Sequence, residues 1–376
     1  MMHLRRHAAL RHAGARAAVS VRALSTSSFA ELEKKMWELG ASAYADLWAP
    51  LTTQSATALM DGAGIPRSTA RAVRRVYSVA PASFSTFNAP AVPSPPVDPP
   101  DDVVAHLPAE APFKVIDIAT GPGNIAAAAL AERAVSHVKG VDISSGMIDI
   151  AKATVGAAHP NAAEFVVGDA AALPVEDGSY DAAIMSFALL HLPDPAKALA
   201  EAFRALKPGG RVAYSVWSPH GAGFKTILDA IATHGDPSVE LPGAPLPFFH
   251  FADEANAKEA LAKAGFDAKS VSVVSVPAVV ALEHEQQFFQ QFVSATARTR
   301  ATLELQTPAQ LAAIREGVAA EVVARFGGNF GDGAARSTSW LPAVPGTDAP
   351  LFDGRPSGRR PFHVPMPLVV VSARKP

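Results

Sequence analysis

The chain has 376 residues, of which 49% are hydrophobic and 18% are charged, a composition that supplies a core and excludes wholesale disorder. The 33 Lys and Arg residues against 35 Asp and Glu residues give a net charge of −2, so the overall basic charge that favours nucleic-acid binding is missing. The absence of cysteine excludes disulfides, thiolate metal sites and thiol nucleophiles. No apolar run approaches the ~20 residues that span a bilayer. We therefore expect no nucleic-acid partner and no transmembrane segment, and we leave open whether the protein is a monomer or a dimer.

The first 28 residues differ from the rest of the chain. Residues 1–30 contain five arginines and no acidic residue, since the first acid is Glu31. An Arg-rich, Ser-containing and acid-free segment is typical of an organellar transit peptide, and Arg22-Ala23-Leu24 before Ser25 resembles a mitochondrial processing site. We predict a transit peptide over residues 1–28 and a mitochondrial protein. A disordered basic tail, a plastid address and a cytoplasmic location are the alternatives.

Two segments precede the most regular part of the chain. From residue 29 onward, apolar residues at three- and four-residue spacing predict an N-terminal helical lid over residues 29–79. Residues 80–112 contain nine prolines. Because proline removes a backbone donor and interrupts both helices and central strands, this stretch is predicted to be an extended linker.

Residues 113–217 alternate between short apolar strands and helical segments. This repeated strand–helix order predicts an α/β core with a mostly parallel sheet and helices on both faces. The strand segments are FKVIDIA, HVKGVDI, AEFVVGD, YDAAIMSFA and GRVAYSVW.

Residues 218–376 are predicted to form a substrate cap and the final strands. The pattern predicts helices over 223–236 and 252–264, a strand over 270–276, two helices within 283–326, a loop over 327–361 and a closing strand from Phe362. Prolines in the closing strand favour an edge or end position.

The most informative motif is VIDIATGPGNIA, residues 115–126. A buried strand ends near Asp117, and the chain turns through Gly121-Pro122-Gly123 into an Ala-rich helix. Glycines let a ligand approach the backbone closely, and the helix N-terminus offers free N–H groups. The next strand ends at Asp142, whose carboxylate can accept hydrogen bonds from both hydroxyls of a ribose. These features fit a dinucleotide and a methyl donor equally well.

Later motifs separate the two interpretations. In order they are Gly168-Asp169-Ala170 with Leu173-Pro174, Tyr180-Asp181, His191-Leu192-Pro193-Asp194-Pro195 and Leu206-Lys207-Pro208-Gly209-Gly210. With this ordered run, residues 113–217 resemble class I S-adenosylmethionine-dependent methyltransferases, in the small-molecule branch that includes quinone C-methyltransferases. The resemblance implies S-adenosylmethionine as cofactor. It also implies a Rossmann-like, seven-stranded, mostly parallel sheet with an antiparallel last strand, an N-terminal lid and a C-terminal helical cap.

The resemblance also implies roles for single residues. Acidic side chains at three strand tips would hold the donor's amino group, ribose and adenine, with backbone and apolar groups beside them. These residues are Asp117 for the amino group; Ala119, Gly121 and Gly123 for the methionine part; Asp142 for the ribose; Ile143 and Met147 for the adenine face; Asp169 and Ala170 for the adenine edge; and Ser186 and Phe187 near the sulfonium.

Each of these side chains also has a structural alternative. Asp117 can cap the following turn, Asp142 can be the N-cap of a helix over 145–157, and Asp169 can form an Asx turn. Phe187 and Met147 are expected to belong to the core as well. In the N-terminal lid, Tyr44 would cover the donor, where an aromatic face can attract a sulfonium. Alternatively, Trp37, Tyr44 and Trp48 form one apolar helix face that packs on the sheet.

The predicted function is methyl transfer from S-adenosylmethionine to a small, apolar or aromatic acceptor. An aromatic cluster, residues 247–251, is a candidate acceptor cap. His191 is a candidate general base, needed only if the acceptor loses a proton, and loop hydrogen bonding is its alternative role. No cluster with metal-ligand spacing is evident, so no metal is expected. A non-catalytic organellar assembly factor and a nicotinamide-dependent oxidoreductase are the rival functions.

Overall fold

The computed structural model describes residues 28–66, 112–236, 238–239, 241–327 and 362–376. The predicted transit peptide (1–28), linker (80–112) and loop (327–361) lie outside these residues except for one residue each. Residues 67–79 of the predicted lid also lie outside them. No described helix is both long and apolar enough to cross a bilayer.

Helices and strands alternate along most of the described chain. The helical elements are α1 (Phe29–Ala43), a π-helical turn (Tyr44–Trp48), α2 (Ala49–Thr52), a 3₁₀ turn (Thr53–Ser55), α3 (Ala56–Gly62), α4 (Asn124–Leu130), α5 (Ser145–Ala151) with a π-helical turn (Lys152–Gly156), a 3₁₀ turn (Leu189–His191), α6 (Pro195–Ala205), α7 (Ala222–His234), 3₁₀ turns (His250–Ala252, Ala268–Ser270) on either side of α8 (Glu254–Lys263), α9 (Gln286–Ala295), α10 (Arg298–Glu304) and α11 (Pro308–Phe326). The strands are β1 (Phe113–Ile118), β2 (Val135–Asp142), β3 (Ala163–Val167), β4 (Tyr180–Ser186), β5 (Leu206–Trp217), β6 (Ser272–Val276), β7 (Val279–Leu282), β8 (Phe362–Pro365) and β9 (Leu368–Arg374).

Seven strands form the main sheet, in the order β3-β2-β1-β4-β5-β9-β6. Strand β9 is antiparallel to both neighbours, and the other pairs are parallel. The prediction of a mostly parallel, seven-stranded sheet with an antiparallel last strand is therefore confirmed. Strand order runs outward in opposite directions from β1 and β4, and right-handed connections then place helices on opposite faces. Ligands of such sheets bind at the carboxyl ends of the strands beside this reversal.

Burial explains why the central strands read as continuous apolar runs. In β1, Val115, Ile116 and Ile118 are fully buried, as are residues 182–185 of β4. Both strands have neighbours on each side and helices above and below, so neither face meets water. At the edge of the sheet, β3 is only partly buried.

The fifth strand begins earlier than predicted. The predicted strand segment GRVAYSVW starts at Gly210, but β5 already begins at Leu206. Tyr180 of β4 pairs with Leu206 and Ala182 pairs with Arg211. The intervening residues form a bulge in which Gly209 has a φ of +81°, a backbone conformation that glycine adopts without strain.

The closing strand is divided, and its prolines lie at or next to strand ends, one of the two positions predicted for them. Strand β8 pairs with β7 in a separate two-stranded sheet, whereas β9 lies inside the main sheet between β5 and β6. Pro365 and Pro367 flank the break and lie outside β9. Every residue of β9 therefore keeps the N–H group that a central strand requires. Strand β6 forms the edge of the main sheet on this side, opposite β3.

The helices that were predicted on either side of β6 are present, with one difference. Residues 283–326 form three helices rather than two, because the chain leaves helical geometry at Thr296 after α9. Thr307 then starts α11 with a capping box that it shares with Gln310. Helix α11 packs against α7 and α9, and α1 packs against α5 and α9. The N-terminal helices thus contact both the core and the C-terminal helices.

Candidate functional site

The loop between β1 and α4 has an unusual backbone. Ala119, Gly121 and Gly123 have φ values of +56°, +55° and +86°, which only glycine adopts freely. A Cβ atom on Gly123 would lie 3.1 Å from Val155 Cγ2 and 3.3 Å from Ala151 Cβ. Gly123 is therefore required by the close packing of the loop on the neighbouring helix as well as by its own backbone angle.

Asp117 is buried beneath this loop, with 1% of its surface exposed. Its Oδ2 accepts a 2.7 Å hydrogen bond from Thr120 Oγ1, whereas Oδ1 has no hydrogen-bond partner among the described residues. Burial raises the pKa of Asp117 from 3.8 to about 7, and the neighbouring Asp142 adds to the shift. A buried carboxylate oxygen without a donor is suited to accept from an ammonium group.

Asp142 joins the tip of β2 to the glycine loop. Its Oδ2 accepts from the Gly121 backbone N–H at 2.8 Å, and Oδ1 accepts from the Ser144 N–H at 2.9 Å. Burial raises the pKa of this carboxyl group, and the two hydrogen bonds oppose that shift. The N-cap of α5 is Ser144, whose Oγ accepts from the Met147 N–H. The alternative role of Asp142 as a helix N-cap is therefore wrong.

Tyr44 and Trp48 follow α1 but occupy different environments. Tyr44 Cε1 lies 3.9 Å from the position that a Cβ atom on Gly121 would take, so its ring lies beside the glycine loop. The Tyr44 hydroxyl donates to Thr52 Oγ1 at 3.3 Å, and burial raises its pKa to about 12. Trp48 instead packs edge-on against Trp217. Trp37 packs edge-on against Tyr44, so the three aromatic residues do not share a single packing surface.

The residues expected around an adenine are divided between exposed and buried positions. Ile143 is 43% exposed at the tip of β2, whereas Met147 and Ala170 are buried. Asp169 is exposed, and its Oδ1 accepts from the Ala171 N–H at 2.8 Å. This bond is the Asx turn that was the structural alternative for Asp169. The second carboxylate oxygen of Asp169 is not used by that turn.

The tip of β4 lies between the glycine loop and an aromatic region. Ser186 Oγ is 3.3 Å from Ser215 Oγ, and the Phe187 N–H donates to the Ser215 carbonyl. Phe187 has a φ of +55°, a strained value for a non-glycine residue that is often found at functional sites. Its ring stacks on Trp217 with 4.1 Å between centroids, so Phe187 serves the core as well.

A cavity with mostly aromatic walls lies beside Trp217. The cavity is lined by Trp37, Trp48, His191, Trp217, Phe224, Phe248, Thr296, Arg298 and Thr299. Of the predicted aromatic cluster at 247–251, only Phe248 lines it. Phe251 is buried and packs against Tyr214 instead. The cavity is connected to the glycine loop through Trp37, which packs edge-on against Tyr44.

His191 is held at the cavity wall by two groups. Its Nδ1 lies 3.0 Å from Oε2 of Glu33, a residue with only 4% of its surface exposed. Trp37 packs edge-on against the imidazole at 4.9 Å. The hydrogen bond fixes the ring orientation and leaves Nε2 as the nitrogen that is not bound to Glu33. Sequence reasoning missed Glu33 because it lies 158 positions from His191 and looks like any other charge on α1.

Two further contacts that were not predicted attach the N-terminal helices to the donor side of the sheet. Glu38 accepts from the Ser145 N–H at 2.9 Å and from the Gly146 N–H at 3.3 Å, at the start of α5. Thr53 Oγ1 accepts from the Asn124 side chain at 2.8 Å, at the start of α4. A carboxylate at a helix N-terminus satisfies free N–H groups and is favoured by the helix dipole.

Comparison with known proteins agrees with this geometry. Residues 116–214 match a family described as "Methyltransferase domain". The chain is 42% identical over 101 residues to a "Ubiquinone/menaquinone biosynthesis C-methyltransferase UbiE" of Methylobacterium nodulans, covering 27% of this chain and 40% of that protein. It is 36% identical over 120 residues to a "2-methoxy-6-polyprenyl-1,4-benzoquinol methylase, mitochondrial" of Caenorhabditis elegans, covering 31% of this chain and 42% of that protein.

A longer alignment reaches 158 residues. It has 41% identity with the UbiE protein of Bartonella tribocorum and covers 36% of this chain and 59% of that protein. In each of these relatives the aligned part is thus less than two thirds of the protein's length. The matches favour a methyl donor over a nicotinamide cofactor. Residues 116–214 therefore match a methyltransferase domain, and this part of the chain is similar to the quinone C-methyltransferases.

Proposed function

We propose that this protein transfers a methyl group from S-adenosylmethionine to a small aromatic acceptor in the cavity beside His191. The observation that carries the proposal is the pair of carboxylates at the tips of β1 and β2, Asp117 and Asp142. Both face the strained glycine loop, and an aromatic cavity lies next to them. A bound donor supplies a methyl group on a positively charged sulfur.

Residues on the donor side of the site can form further contacts with each part of S-adenosylmethionine. Asp117 Oδ1, which lacks a partner, would accept from the donor's ammonium group. Each oxygen of Asp142 makes one backbone hydrogen bond, and a carboxylate oxygen can accept a second, here from a ribose hydroxyl. The exposed Ile143 side chain would cover the adenine, with Met147 beneath it. Asp169 and the Ala170 N–H would bind the adenine edge, and Ala119, Gly121 and Gly123 would contact the methionine part.

Ser186 and Phe187 would lie near the reacting carbon, since they end β4 next to the cavity. Tyr44 would close the donor site from the N-terminal side. In a methyl transfer the protein's main task is alignment, which can contribute about 7–11 kcal/mol. The tightly packed aromatic walls of the cavity are suited to hold a flat acceptor in one orientation.

Glu33 and His191 supply a base if the acceptor must lose a proton. The His191 ring lines the cavity, and the buried Glu33 carboxylate stabilises the imidazolium that forms when His191 accepts a proton. A phenolic hydroxyl is the simplest group that such a base could activate. The names of the relatives refer to ubiquinone and menaquinone biosynthesis and to a benzoquinol methylase, so we propose an acceptor of quinol type.

We further propose a mitochondrial location. The Arg-rich, acid-free composition of residues 1–28 supports it, and the Caenorhabditis elegans relative is described as mitochondrial. Import of a fusion of residues 1–28 to a fluorescent protein tests this proposal. Retention of that fusion in the cytosol would contradict it.

Calorimetry with S-adenosylhomocysteine, the demethylated product, and with NADH tests the cofactor. We expect binding of the former and none of the latter. Replacing Asp142 by Ala should weaken the affinity for S-adenosylhomocysteine by about tenfold or more, since it removes hydrogen bonds to a charged acceptor. The matched control is Asp149→Ala, which changes an exposed carboxylate on α5 and should leave the affinity unchanged. Binding of NADH alone, or equal affinities of the wild type and Asp142→Ala, would overturn the proposal.

Transfer itself is measured with methyl-labelled donor and a short-chain quinol. Incorporation of label into the quinol ring supports catalysis. Donor binding without label in any of a panel of quinols and phenols would favour the non-catalytic alternative.

A further inference from the structure

Arg298 is the one cationic side chain among the residues that line the aromatic cavity. It is the first residue of α10, and its guanidinium carbon lies 5.7 Å from the ring centroid of Phe29 and 6.0 Å from that of Phe248. The two rings hold the planar group by cation–π contact. This arrangement fixes the guanidinium at the cavity wall without using its N–H donors.

Those donors are poorly satisfied. Nη1 of Arg298 is buried and has no hydrogen-bond partner in the part of the chain that the structure describes. Other arginines show the ordinary arrangement: Arg300 donates to Glu304 at 2.7 Å, and Arg204 binds Asp177 and Glu201. A guanidinium that is partly buried without a hydrogen-bonded anion is costly, so such a group needs an explanation, and a bound anion provides one.

Glu33 is the carboxylate whose charge acts on Arg298 most directly. Burial lowers the pKa of Arg298, and the Glu33 charge opposes that shift. No ion pair within 4.0 Å joins the two among the described residues: Glu33 Oε2 is bound to His191, and its Oε1 has no hydrogen-bond partner there. Glu33 therefore reduces the local positive charge at a distance but leaves the N–H donors of Arg298 free.

We propose that Arg298 binds an anionic oxygen on the aromatic acceptor, either a carboxylate or a phenolate. This inference rests on the proposed function, because it takes the cavity to be the acceptor site. A guanidinium presents two parallel N–H groups that match the two oxygens of a carboxylate. The aromatic walls would hold the ring while Arg298 holds its charged substituent. Arg298 would thus determine which of several flat aromatic molecules is accepted.

Calorimetric titration with three probes of one ring system tests the proposal. The probes are 2-naphthoate, which is an anion, 2-naphthalenemethanol, which is its neutral counterpart, and 2-naphthol, which can bind as a phenolate. Each is titrated into the full chain with and without S-adenosylhomocysteine. We expect 2-naphthoate to bind about tenfold or more tightly than the neutral alcohol. A phenolate site would appear as proton release when 2-naphthol binds, seen as a binding heat that varies with the buffer.

Two variants show which residue is responsible. Arg298→Gln should remove the preference for 2-naphthoate while the affinity for the alcohol stays within about twofold. The matched control is Arg300→Gln, two residues along the same helix, where the arginine already pairs with Glu304; the preference should survive there. The affinity for S-adenosylhomocysteine reports whether each variant is folded.

Three results would overturn the inference. The first is equal binding of 2-naphthoate and the alcohol by the wild type together with no proton release from 2-naphthol. The second is an equal loss of affinity for 2-naphthoate and the alcohol in Arg298→Gln, which would mean that Arg298 only balances the charge of Glu33. The third is loss of the preference in Arg300→Gln. Normal binding of S-adenosylhomocysteine alongside any of them would leave the proposed function standing, whereas its failure to bind would contradict the proposed function instead.

Discussion

Replacing Asp117 by Asn should change how the stability of the protein depends on pH. Burial raises the pKa of Asp117 from 3.8 to about 7 in the folded protein. Between these two values the unfolded chain has lost a proton that the folded protein keeps, so stability falls as the pH rises. A separation of about three pH units, at 1.36 kcal/mol per unit, corresponds to about 4 kcal/mol. Asparagine has nearly the same shape and does not titrate.

Urea unfolding of both proteins at pH 5, 6, 7 and 8 gives the measurement. The free energy of unfolding of the wild type minus that of Asp117→Asn should fall by about 1.4 kcal/mol per pH unit up to about pH 7 and then become constant. A difference that does not vary with pH would refute the conclusion that the folded protein keeps Asp117 protonated. Replacing Thr120 by Val removes a hydrogen bond that lowers the pKa of Asp117, so the fall should then extend to higher pH.

The same substitution should weaken donor binding. An amide oxygen accepts hydrogen bonds but carries no charge, so Asp117→Asn should lose about tenfold or more in affinity for S-adenosylhomocysteine. At pH 8 the variant would be more stable than the wild type and a poorer binder. Unchanged affinity would show that the unpartnered oxygen of Asp117 does not contact the donor.

Two other perturbations test the packing and the cavity. Gly140→Ala places a Cβ atom 2.5 Å from the Phe165 ring, so urea unfolding should show a loss of about 1–3 kcal/mol in the free energy of unfolding. The control is Gly243→Ala, where no atom lies within 4 Å, and its stability should change by less than about 0.5 kcal/mol. Equal effects of the two substitutions would contradict the close packing at Gly140. Glu33→Gln should lower kcat for a phenolic acceptor by about tenfold or more, because it removes the charge that stabilises protonated His191. The affinity for S-adenosylhomocysteine should be unchanged, whereas an unaltered kcat would exclude a role for Glu33 in proton transfer.

The donor side of the site was predictable from sequence because its information is local. Asp117, Gly121 and Asp142 each follow a strand whose apolar run is clear, and the carboxyl ends of parallel strands meet at one edge of a sheet. A local sequence pattern cannot show whether a glycine is required by the approach of a ligand or by packing within the protein. Gly123 was attributed to close approach of a ligand, but its packing on Val155 requires the same residue.

The acceptor side was much less predictable. Its walls come from α1, the ends of β4 and β5, the 247–251 cluster and α10, and the lining residues are up to 262 positions apart in the chain. The pairing of Glu33 with His191 and the exposure of Arg298 to the cavity depend on how these elements pack. No local pattern marks either residue, since a charge on an amphipathic helix normally faces water.

The position of β9 has a consequence for biosynthesis. Strands β5 and β6 do not touch each other in the sheet, and only residues 368–374 connect them. Helix α3 is also held at this point, with Gly62 against Ser372 and its carbonyl bound by Arg211. During translation the nascent chain can therefore assemble β1 to β5, but β6 has no strand to pair with, and α3 lacks part of its packing surface, until residue 374 has left the ribosome. Deleting β9 would expose β5 and β6 as two open edges, a state prone to aggregation.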